Sequence, residues 1–260
     1  SIQKCVLKKQ DIHIPMKKRG NLWIAEVKME QLGENRFDIF YGEGKQTHVT
    51  CLVIDNVDSL IKKRVDFICD HQQMKESNTR KDAFMVYDNE KNEIYLNNTR
   101  NCNPVDRDEG AERVGMGVLL AKYYQLHPDD LKTALLKYAK FLRNRLQESD
   151  YKTFSSVDRK GRNRAYNYTW VADFYFQMYK ITGDKQYAVD GYMTLRSMFC
   201  QFGHGFYAIG IPVHLGLQTL KAANMNVEYE TLKNDYIQVG DTFVKNGLNY
   251  PASEVNYEQA

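Results

Sequence analysis

The densest run of apolar positions lies at 163–199, NRAYNYTWVADFYFQMYKITGDKQYAVDGYMTLRSMF. Tyr168, Val171, Ala172, Tyr175 and Tyr179 fall on one face of a 3.6-residue period. Trp170, Phe174, Phe176 and Met178 cover much of the opposite face, so the spacing predicts a helix buried on both sides. Thr182-Gly183-Asp184 then reads as a stop and restart: glycine ends one helix and aspartate caps the next. The second helix carries Ala188, Gly191, Tyr192, Leu195 and Phe199 along one stripe. The unit is a helical hairpin, one helix deep and one partly exposed.

Upstream the period changes. Between 21 and 55 the runs 22–29, 36–41 and 47–54 alternate, are rich in β-branched and aromatic residues, and are parted by Gly33-Glu34-Asn35 and Gly42-Glu43-Gly44-Lys45. They predict a small antiparallel sheet, with 2–14 as a preceding strand or linker. From Val57 the helical period returns through Leu60, Ile61, Val65 and Ile68, in a helix reaching to about Met74. A short hairpin is expected from 84–87 and 93–96, then helices through Val114 to Ala121, from Pro128 to Leu146, from Pro212 to Leu220 and from Tyr229 to Phe243. The chain thus reads as mainly α with a small N-terminal β part. Residues 1–55 form an antiparallel β segment, the end of a β-sandwich domain, and 56–260 an array of α/α hairpins.

The phrase Ile181-Thr182-Gly183-Asp184-Lys185-Gln186-Tyr187-Ala188 resembles the hairpin turn that recurs in α/α-toroid carbohydrate enzymes, the six-hairpin glycosidases and toroidal polysaccharide lyases. That resemblance implies an active-site cleft at one end of the toroid, lined by interhelical loops and the starts of inner helices. About seven helices follow Val57, whereas a closed six-hairpin toroid has about twelve. The array is therefore a partial toroid or an open α/α stack.

Charge and cysteines narrow the partners. A formal net charge of +3, with Lys-Lys pairs scattered at 8–9, 17–18 and 62–63, gives no nucleic-acid footprint. Five dispersed cysteines without a C-x-x-C pair imply neither a disulfide framework nor a zinc site. No apolar run is long enough to span a membrane. No metal or other cofactor is expected, because no metal-ligand spacing, Gly-rich phosphate loop or G-x-S-x-G is present. The chain begins Ser1-Ile2-Gln3, which reads as a processed or truncated start, and a secreted or periplasmic location is expected. The 18 tyrosines are the more telling excess, since aromatic rings with polar tips suit sugar-binding surfaces.

Three segments carry candidate chemistry. Asp106-Arg107-Asp108-Glu109, with Glu112 and Arg113, places four carboxylates and two guanidiniums at a loop-to-helix junction. Glycoside hydrolysis needs one protonated and one ionised carboxyl, and neighbouring arginines separate such groups. The structural reading is that acids favour a first helical turn and that Glu109 and Arg113 form an i,i+4 pair. Second, Arg164, Tyr166, Asn167, Tyr168 and Trp170 lie at the mouth of the buried helix, where they either stack and hydrogen-bond a pyranose or belong to the core. Asp173, one turn on between apolar neighbours, is a candidate general acid or a tie between helices. Third, the loop Gly203-His204-Gly205-Phe206-Tyr207 adds an imidazole and a phenol. Toroidal lyases commonly abstract the proton α to a uronate carboxyl with Tyr and His or Asn while Arg or Asn neutralises the carboxylate. The resemblance offers Tyr166 or Tyr207, His204 or His214, Asn167 and Arg164 for those roles.

The leading expectation is a glycoside hydrolase with an acid–base pair drawn from Asp106, Asp108, Glu109 and Asp173, its glycan bound by Arg107, Tyr166, Asn167, Trp170, His204 and Tyr207. The alternatives are a polysaccharide lyase on a uronate-containing polymer and a non-catalytic glycan-binding or helical scaffold protein.

Overall fold

A computed structural model of the chain describes residues 2–96, 108–128, 131–159, 163–206 and 210–249. The chain divides into two compact units, Ser1–Arg64 and Val65–Ala260. The division falls inside the first helix, downstream of the change of period near residue 55.

In the first unit, strands β1 (Ile2–Leu7), β2 (Ile12–His13), β5 (Gly33–Tyr41) and β6 (Lys45–Val53) form one antiparallel sheet in the order β2-β1-β5-β6. Strands β3 (Lys17–Arg19) and β4 (Leu22–Ile24) pair separately. A two-glycine turn, with Gly42 and Gly44 at φ 52° and 70°, joins β5 to β6 in a conformation that L side chains adopt at a cost. Cys5, Leu7, Ile14 and Phe37 make a small core. Alternation of hydrophobic residues locates β6, yet only Val53 in it is even half-buried, because the core lies beneath β1 and β5 and β6 is the sheet's edge.

Helix α1 (Val57–Phe67) begins in the first unit and runs into a wider turn at Ile68–Gln72. Gln73 leaves the helix with extended backbone and bridges to Phe84, so the helix stops short of Met74. The hairpin contains only the two-residue strands β7 (Tyr87–Asp88) and β8 (Glu93–Ile94). Beyond them come α2 (Val114–Leu126), α3 (Leu131–Phe141), α4 (Ala165–Thr182), α5 (Lys185–Phe202), α6 (Val213–Ala222) and α7 (Asn226–Asn246). The described residues therefore hold seven α-helices and an N-terminal antiparallel sheet.

Helix α4 organises the helical unit as its composition requires. Eleven of its residues are buried, and it packs on α2, α5 and α6. Gly183 at φ 70° ends it with its amide donating to the Tyr179 carbonyl. Asp184 then caps α5 by accepting from the Gln186 amide at 2.9 Å. Close approach of the helices uses missing side chains: a Cβ on Gly191 of α5 would lie 2.4 Å from the buried Phe176 ring, and one on Gly117 of α2 would lie 2.7 Å from Tyr138. The Gly115-Met116-Gly117 run thus packs helices through Gly117. No disulfide joins Cys5, Cys51, Cys69 and Cys200, and no helix among the described residues is long and apolar enough to cross a membrane.

Candidate functional site

Three loops of the helical unit meet around the start of α4. The stretch Asp108–Gly110 leads into a single tight turn, Ala111–Arg113, that opens α2. The loop after α3 locks it in place: the Ala111 amide donates to the Ser155 carbonyl at 3.1 Å, and the Val157 amide donates to Glu109 Oε1 at 3.2 Å. Asn167 in the first turn of α4 donates from Nδ2 to Ser155 Oγ at 2.8 Å, tying the helix start to the same loop.

The acidic junction is largely interior. Glu109 is fully buried, and its Oε2 accepts from Arg80 Nε at 3.0 Å. Its partner is therefore Arg80, twenty-nine residues upstream, and not Arg113 as the i,i+4 spacing predicted. With both oxygens held by donors, Glu109 is an acceptor in a structural clamp. Asp108 is also buried. Glu112 pairs with Arg164 across the gap to α4. Asp106 and Arg107 lie outside the described residues, as does Tyr207.

The start of α4 presents rings. Tyr166 is half-buried, lies nearly parallel to Trp170 with centroids 6.0 Å apart, and meets the edge of Phe206 at 5.4 Å. The Arg164 guanidinium sits 5.7 Å from the Tyr166 ring centre. Trp170 keeps 38% of its surface exposed on a helix otherwise buried around most of its circumference, so it is the outward member of the cluster. Tyr168, by contrast, is fully buried, and burial pushes its phenol above the ordinary tyrosine range. Asn167 is fully buried too, so its side chain is not at the surface. Asp173 is half-buried and accepts from Gln177 Nε2 at 3.1 Å on its own helix; Gln177 in turn accepts from Gln125 of α2. Asp173 thus bonds within α4, and the link to α2 runs through Gln177.

His204 lies in the loop that carries Phe206, and both border an apolar niche with Phe199, Phe202, Ile211 and Val239; Asp108 and Trp170 are not in its lining. The His204 ring stacks on Phe199 with centroids 4.8 Å apart, and its Nε2 is 3.0 Å from Asp235 Oδ1 on α7. Arg196 of α5 holds the other oxygen of Asp235. His214 is exposed on α6. Trp170 and the His204 loop meet through Tyr166 and Phe206.

Arg80, Arg196, Asp235 and Ser155 complete the site and carry no local signal. Each reaches its partner across twelve to thirty-nine residues of sequence, where spacing rules are silent.

The described fold is mainly helical, with an antiparallel sheet at its N-terminal end. No protein-family model and no curated protein matches the sequence. A solved structure of a polysaccharide lyase is similar, with a TM-score of 0.91 and 60% identity over 97% of this chain. The chain spans 38% of the length of that lyase.

Proposed function

We propose that the chain works as part of a polysaccharide lyase of α/α-toroid build, cleaving a uronate-containing polymer by β-elimination. The single observation carrying this is its 60% identity, over nearly its whole length, to a polysaccharide lyase. Hydrolysis, the leading expectation from sequence, has less support, and the elimination alternative moves ahead of it.

Elimination asks for a cation on the uronate carboxylate, a base for the α proton and an acid for the leaving oxygen. Trp170 and Tyr166 form the stacking wall for the sugar ring. Arg164, fixed by Glu112, neutralises the uronate carboxylate and so acidifies the α carbon. His204 takes the α proton; the electron pair of that C–H bond becomes the new carbon–carbon double bond, and the β carbon–oxygen bond breaks. The departing oxygen takes its proton from the Tyr166 phenol, which regains it from the imidazolium through solvent. A polymeric substrate favours a secreted or periplasmic location.

Incubation with a panel of uronate polymers tests this, following reducing ends together with the ultraviolet absorbance of an unsaturated uronate. Both signals are expected to rise in proportion. Reducing ends without absorbance would mean hydrolysis, and no product on any uronate polymer would return the chain to the scaffold or glycan-binding reading.

A further inference from the structure

An imidazole can serve as a base only if one nitrogen keeps its lone pair toward the substrate, and the two nitrogens are not equivalent. Around His204 three elements decide which one. The loop after α5 turns at Gly203, whose φ of 69° and ψ of −160° a residue with a Cβ rarely adopts. Phe199 of α5 fixes the plane of the ring by stacking within 16° of parallel. Asp235 of α7, only 4% exposed, meets Nε2 at 3.0 Å. Among the described residues Nδ1 has no hydrogen-bond partner, and the side chain keeps 24% of its surface open.

Asp235 does not act alone. Arg196 grips its second oxygen, and this contact pushes the guanidinium's pKa up. A carboxylate braced by a guanidinium only accepts hydrogen bonds, so the proton on Nε2 belongs to the imidazole and the lone pair is left on Nδ1. The guanidinium has a second effect. An uncompensated buried carboxylate beside the site would repel a polyuronate, and Arg196 offsets that charge.

We propose that Asp235, braced by Arg196, is the positioning residue that holds His204 as the Nε2–H tautomer and presents Nδ1 as the proton acceptor of the elimination. The pair makes no contact with substrate and acts through His204. This inference rests on the lyase reading, and its test separates the two. The elimination step itself is unchanged: Nδ1 gains the α proton, the C–H electron pair forms the double bond, and the leaving oxygen is protonated by Tyr166.

Nitrogen-15 NMR of the wild-type protein comes first and needs no substrate. In the neutral ring the proton of His204 is expected on Nε2; a neutral ring protonated on Nδ1 overturns the inference. Asp235→Asn should then lower kcat by about 10²–10⁴-fold with KM within about twofold, as wrong-tautomer variants of carboxylate-held histidines do. Unchanged kcat in a folded Asp235→Asn protein overturns it. If that variant does not fold, the tautomer seen by NMR decides for Asp235, and His204→Gln, whose side-chain amide can still donate to Asp235, tests the base on which the inference rests. Retained turnover in His204→Gln overturns both readings, and its loss with the melting temperature kept supports His204 as the base. A wild-type protein that yields no unsaturated product, yet shows the Nε2–H tautomer, overturns the lyase reading and with it the catalytic meaning of the pair.

Discussion

Substituting Glu109 separates a catalytic carboxylate from a structural one. The residue is fully buried, with Arg80 Nε at 3.0 Å on one oxygen and the Val157 amide at 3.2 Å on the other. Glu109→Ala removes both acceptors at once and leaves the Val157 amide unsatisfied. Breaking a fully buried ion pair costs about 3–5 kcal/mol. Arg80 keeps 29% of its side chain exposed and can turn to water, which lowers the expected cost to about 2–4 kcal/mol. For a unit of this size that corresponds to a fall in melting temperature of roughly 4–16 °C. Glu109→Gln retains one acceptor but turns an amide N–H toward the guanidinium, so it should cost about 1–3 kcal/mol. Thermal and urea unfolding of both variants, of Arg80→Ala and of the Glu109→Ala/Arg80→Ala double variant would measure the coupling. Turnover would be normalised to the folded fraction. The expectation is a coupled loss of stability with activity per folded molecule kept to within about tenfold, equivalent to roughly 1.4 kcal/mol in the barrier. Wild-type stability in Glu109→Gln together with abolished turnover would refute the clamp and restore the residue to a catalytic role.

Trp170→Ala should weaken binding of oligouronides, measured by calorimetry, while lowering stability by less than about 1 kcal/mol, since the side chain is among the more exposed rings of the unit; unchanged affinity with a large stability loss would make it core. Gly191→Ala gains about 1 kcal/mol of helix propensity but pushes a methyl against the Phe176 ring, which costs about 1–3 kcal/mol, so the protein should be destabilised by up to about 2 kcal/mol. In a Phe176→Leu background the same change should become neutral or stabilising; stabilisation with Phe176 intact would show that the helices are not in contact there. Burial raises the phenol pKa values of Tyr138, Tyr175 and Tyr236. Their neutral forms are favoured in the folded state, so this contribution to stability is fully present below the ordinary tyrosine range and is lost as pH climbs from there through the raised folded values. Ultraviolet titration should therefore show a class of tyrosines that ionise only on alkaline unfolding, and ionisation of all 18 in the folded protein would contradict the burial.

The hairpin was legible because its signals are local. Apolar spacing, the Gly183 stop and the Asp184 cap all act within one helical turn of the residue concerned, and α4 ends and α5 begins where they dictate. Interior and surface faces were less legible. Tyr168 and Trp170 are both large aromatics in the same helix turn, yet one is fully buried and the other faces outward. Only the placement of α2, α5 and α6 around α4 separates them. The partners of the charged residues were not legible at all. Glu109 was expected to take its nearest helical neighbour, but a guanidinium brought from Arg80 by the fold won that competition. The toroid resemblance pointed to sugar chemistry and left open which carboxyls remain available for it.

That availability bears on the choice of reaction. A two-carboxyl hydrolase needs one carboxyl that holds a proton until the leaving oxygen takes it. Near the start of α4, Glu109 accepts from a guanidinium and a backbone amide, Glu112 faces Arg164, and Asp173 accepts from an amide side chain. In these contacts the carboxyl oxygens accept or meet a cation, and none of them donates. Elimination does not require such a donor from a carboxyl. In the elimination proposed above, the cation would be Arg164, paired with Glu112, the base His204, held by Asp235, and the phenol Tyr166, stacked beside Trp170. If the proposed elimination holds, the acids would support the site and the nitrogen and phenol groups would be its reagents.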